Sequence, residues 1–78
     1  MLRKYIEASE GTVPAQVYIR ALRIAIDDLE VNWGYGIKDI LLASQGLGDD
    51  EQLCRRLKEA MLTAVRMLMR DYTTEKER

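Results

Sequence analysis

The 78-residue chain is 47% hydrophobic and 32% charged, which suits one folded domain over 1–78 and is too apolar for a disordered chain. Lys and Arg total 12 against 13 Asp and Glu, a net charge of −1 that excludes a protein held to nucleic acid by bulk charge. One cysteine, Cys54, and no histidine exclude an intrachain disulfide and leave a structural zinc site without a ligand set.

Residues 2–9 read as a short helix with Leu2, Tyr5, Ile6 and Ser9 on one side, broken at Glu10-Gly11-Thr12. The second helix is predicted over 13–31. Thr12 is its candidate N-cap, and Pro14 sits near its first position, where a missing N–H costs nothing. A narrow polar stripe of Gln16, Arg20, Arg23, Asp27 and Glu30 runs along it, with Arg23 and Asp27 placed to pair. Nearly every other position is apolar, as in a helix with neighbours on more than one side.

Asn32-Trp33-Gly34-Tyr35-Gly36 breaks the pattern, its two glycines permitting a tight turn. A short helix is predicted over 37–44 with Ile37, Ile40, Leu41 and Ser44 inward, closed by Gly46 or Gly48 in the left-handed position. The last helix is predicted over 49–72. Asp49 opens it, with Gln52 three residues on as in a capping box, and Asp50 and Glu51 sit where the helix dipole favours acids. Leu53, Cys54, Leu57, Ala60, Met61, Ala64, Val65, Met67, Leu68 and Tyr72 cover one broad arc of it. Residues 73–78 read as a frayed tail.

The expected fold is therefore all-α: a small bundle of two long antiparallel helices with shorter ones against them. A chain this short buries a thin core, and with disulfide and metal closed to it, association of two copies is the remaining means of stabilisation, so a homodimer is expected. The first residues lack the apolar stretch of a signal peptide, and no run approaches a membrane span. The expectation is a cytoplasmic protein with no membrane partner.

Chemistry is poorly provided for. There is no histidine to act as acid or base, Cys54 lies on the inward arc without an activating partner, and no phosphate-binding or cofactor motif is present. The acids Asp27, Asp28 and Glu30, near a helix end, lack the alternation of a calcium loop. They read as a solvated surface or as a docking edge for Arg or Lys of a partner. The expectation is a protein without enzymatic activity, metal or cofactor.

What remains is contact. Val17, Ile24 and Val31 recur every seven residues beside the polar stripe, and Leu62 and Met69 do the same on the last helix. Heptad-spaced apolar residues outside a core seam suit contact with another chain, unless the first and third helices cover them. Trp33 is placed to fold back over the end of the bundle, leaving Tyr35 as the exposed aromatic. The functional expectation is a protein-binding regulator or adaptor acting through an apolar helix face and an aromatic turn, its protein partner unidentified. The alternative is a small helix-turn-helix-like nucleic-acid binder built from residues 37–44 and 49 onward. The acids Asp49, Asp50 and Glu51 would then stand where phosphates must approach, so nucleic acid is the weaker expectation.

Overall fold

The computed structural model describes residues 2–77, and the side chains as far as Thr73; Met1 and Arg78 lie outside the described residues. It is all-helical, with four helices and no strand among the described residues: α1 (Leu2–Glu10), α2 (Ala15–Trp33), α3 (Ile37–Ser44) and α4 (Glu51–Glu77). At 1.5 Å per residue the 27 residues of α4 span about 40 Å. That accounts for the long dimension of a molecule measuring 42 × 24 × 15 Å.

α4 is the common support. α1, α2 and α3 each make their main contact with it. Lys58 lies over the Tyr5 ring and Arg66 binds Glu10, so α1 runs alongside α4 in the same sense. Gln16, Val17 and Arg20 share a cleft with Leu68, Asp71 and Tyr72, while Trp33 meets Arg56, so α2 runs in the opposite sense.

The core follows from residue spacing. On α2 the buried row is Val17, Ala21, Ala25 and Leu29, and on α4 it is Leu53, Leu57, Met61 and Val65. Both rows advance by four residues, the ridge that packs one helix into the groove of another. The two alanines let the backbones approach closely. Val13 anchors the α1–α2 connection, and Leu2 and Ile6 attach α1. No polar or charged residue is buried among the described residues, so the core gains stability from apolar burial alone.

The helix ends depart from expectation in detail. Thr12 does not cap α2: Pro14 occupies the N-cap position without a side-chain bond, and its carbonyl accepts the first helical bond from the Tyr18 N–H. Val13 is buried as part of the connection, and its N–H reaches Glu7 Oε2 at 3.4 Å, so the helix starts two residues later than a Thr12 cap requires. Arg23 and Asp27 do not form an ion pair; the pairs seen among the described residues are Arg3–Glu7 and Arg66–Glu10.

α2 continues two residues beyond the expected Val31 and ends at Gly34, which is left-handed at φ 71°. The Gly34 and Tyr35 N–H groups donate to the carbonyls of Glu30 and Leu29. α3 matches its predicted span and closes at Gly46 (φ 78°), the Gly46 and Leu47 N–H groups donating to the Ala43 and Leu42 carbonyls in a Schellman arrangement.

α4 begins at Glu51, and its cap lies one residue later than predicted. Asp50, not Asp49, is the cap: its Oδ1 accepts the Leu53 N–H at 3.0 Å, so Gln52 is out of register for a capping box. Asp50→Ala should cost about 1 kcal/mol, measured as a shift in the urea midpoint; an unchanged midpoint would mean that Asp49 can replace it. At its other end α4 runs to Glu77 and takes in most of the segment read as a frayed tail.

Candidate functional site

α2 and α4 diverge along one flank to leave an open apolar groove of about 270 Å³. Its floor is Ala25, Ala60 and Ala64, and its walls carry Ile24, Met67 and Thr63. The groove ends in polar groups, Asp28, Glu59 and Arg56. At 100° per residue Ile24, Asp28 and Val31 fall on the same flank of α2, so Val31 extends its rim. Ile24 is 42% exposed, Met67 53% and Val31 73%.

At the Arg56 end stands the most unusual contact in the molecule. The Arg56 guanidinium lies 3.5 Å from the centre of the Trp33 ring, and Trp33 itself is 52% exposed. The Nε of Arg56 is buried without a hydrogen-bond partner. Stacking on an indole contributes about 0.5–2 kcal/mol, which offsets much of the cost of that unmade bond and fixes the guanidinium in one place. An aromatic face and a positioned cation thus stand side by side at the end of an apolar groove.

The residues singled out in the sequence separate sharply. Ile24 and Val31 reach the surface as expected, but Val17 does not: at 4% exposure it is core. The buried row on α2 advances by four and therefore rotates about 40° per step, so a seven-residue repeat starts inside the core and leaves it. Leu62 and Met69 are half-buried against the core rather than free. Leu62 lies between Lys58 and Arg66, the two residues that hold α1, which places it on the side of α4 that faces α1.

The aromatic turn is also reversed. Tyr35 is half-buried and packs on the core, while Trp33 faces out. The left-handed Gly34 produces this, turning the chain after Trp33 and sending Tyr35 inward. Of the acidic edge, Asp27 and Glu30 are exposed. Asp28 is half-buried and accepts the Asn32 Nδ2 at 2.6 Å.

Two expectations are corrected: Trp33, expected to fold back over the bundle, is exposed, and Met67, expected on the inward arc of the last helix, is 53% exposed; Arg56 stands out in the sequence only as a cation of the nucleic-acid alternative. The Trp33–Arg56 pair joins residues 23 positions apart in different helices, and no periodicity signals it. Met67 lies at the edge of the broad α4 arc, where a small rotation decides between core and surface. α3 shows the same effect: Ile40 and Ala43 face in, whereas Ile37 and Leu41, expected inward, are exposed.

A larger cleft, about 480 Å³, lies between α1, α3 and α4, with Leu2, Tyr5, Cys54 and Leu57 in its walls. Its Lys58 lies over the Tyr5 ring at 4.8 Å, and Cys54 is half-buried there. On the far side of α1, burial raises the Tyr18 phenol above its ordinary 10.0. The Arg3 charge pulls it back and Glu7 adds to the rise.

Among the described residues no group of acids and cysteine stands close enough to hold a metal, and no helix is long and apolar enough to cross a membrane. The exposed start of α4, Asp49-Asp50-Glu51, presents acids where a helix-turn-helix reader presents its bases to DNA. Comparison with known protein families, curated proteins and solved structures finds no match.

Proposed function

We propose that this protein is a non-enzymatic, cytoplasmic regulator or adaptor that works by binding protein. Its contact surface is the α2–α4 groove with the Trp33–Arg56 corner, bordered by Asp27, Asp28 and Glu30. Self-association of two chains is part of this reading.

The observation that carries it is the exposure of Ile24, Val31, Trp33 and Met67 around one groove, beside an arginine already fixed in place. Trp and Arg are the residues that most often dominate protein interfaces, and a guanidinium locked in advance loses little freedom on binding. A groove of this size, open along its length, suits a helix laid into it rather than an enclosed small molecule.

The test is photo-crosslinking in cells. A benzophenone side chain at Val31 should give defined protein adducts, and the same group at exposed Lys38, on α3, should not. Adducts equal in number and mass from both positions would defeat this reading, as would none from Val31.

A further inference from the structure

We infer that the occupant of the α2–α4 groove is α2 of a second copy of this chain, laid antiparallel about a two-fold axis at Ile24. This rests on the groove being a protein contact surface and names what fills it.

Charge on the α2 flank points to this occupant. Arg20, Ile24 and Asp28 are spaced four apart on one flank of α2, with Arg20 and Asp28 equidistant from Ile24. When two such helices pair antiparallel about Ile24, Arg20 of each copy meets Asp28 of the other. A two-fold axis makes the contact twice. Glu59 of α4 lines the groove beside Asp28, so the end that receives Arg20 carries two acids against the one charge of Arg56, which is turned onto Trp33. Among the described residues, Arg20, Asp28 and Glu59 make no ion pair within their own chain. Arg20 itself lies beyond the groove, in the neighbouring cleft with Asp71, so this flank carries its cation on one side of Ile24 and Asp28 with Glu59 on the other.

The shape of the groove supports the same pairing. Alanines at 25, 60 and 64 leave room for the second helix to approach, and Ile24 would meet its own copy at the axis.

The experiment is sedimentation equilibrium of the full chain over a dilution series, with circular dichroism to check helicity. The wild-type chain should sediment as a dimer. Arg20→Glu and Asp28→Arg should each weaken self-association about tenfold or more, because two symmetric attractions become repulsions. The double variant Arg20→Glu/Asp28→Arg should recover it. Ile24→Asp should dissociate the dimer with helicity unchanged, by placing two carboxylates together at the axis. A wild-type chain that stays monomeric overturns the inference, as do single variants that associate normally or a double variant that fails to recover. Val31 crosslinks to a protein of different mass would then leave the groove reading standing, so the two failures are distinguishable.

Discussion

Replacing Leu57 by alanine should destabilise the chain by about 2–5 kcal/mol. Leu57 is 1% exposed and lies mid-row on α4, where Leu2 of α1 and Ala43 of α3 also come to the helix. Truncation there removes apolar contact from the meeting place of three helices at once. Residue 57 also borders the 480 Å³ cleft, so the space vacated joins an opening that water can enter rather than a sealed void. That favours the lower half of the range. For a chain of this length total stability is on the order of 4–12 kcal/mol, so even the lower half is a large fraction. Urea unfolding measures it, as a lower midpoint at unchanged slope. A loss under about 1 kcal/mol would mean that Leu57 is not part of a tightly packed core.

Ile6→Ala should have a comparable cost, about 2–5 kcal/mol, but confined to one helix. α1 has only nine residues, too few to hold a helix unaided in water, and Ile6 and Leu2 are its two buried side chains. Further links are lateral or run to the connection: Arg66 on Glu10, Lys58 over Tyr5, Arg3 over Tyr18 at 5.4 Å, and Arg3 and Glu7 to the Val13 backbone. With Ile6 truncated, α1 should detach before α2 and α4 unfold. Hydrogen exchange would show residues 2–10 losing protection while the α2 and α4 amides keep theirs. The released face carries Leu62, so the same variant should expose added apolar surface. If all helices lose protection together, α1 belongs to one cooperative unit and this expectation fails.

Helix content and helix order were legible in the sequence because they depend on local signals. The Gly34 and Gly46 stops, the acids before α4 and the apolar periodicity place every element within a few residues. What periodicity cannot give is rotation. Val17, Ile24 and Val31 look equivalent on a helical wheel, yet the ridge on α2 turns as it advances, so Val17 is buried and Val31 is not. Ile37 and Leu41 face out for the same reason: α3 is apolar nearly all round, and small Ala43, rather than the larger neighbours, packs inward. The candidate site was half legible. Ile24, Val31 and Asp28 could be found from spacing on one helix. Trp33 against Arg56 could not, because that pairing exists only once α2 and α4 lie side by side.

The position of α4 bears on how the chain can be made. A nascent polypeptide emerges from its N-terminus, so α1, α2 and α3 leave the ribosome before the helix they pack on. Until α4 follows, the apolar sides of Ile6, Leu29 and Ile40 have nothing to cover them. The preceding fifty residues must wait in a loosely ordered state, open to chaperones. Early folding intermediates built from the first three helices should be short-lived, and a chain truncated just before Leu53 and released from the ribosome should be protease-sensitive.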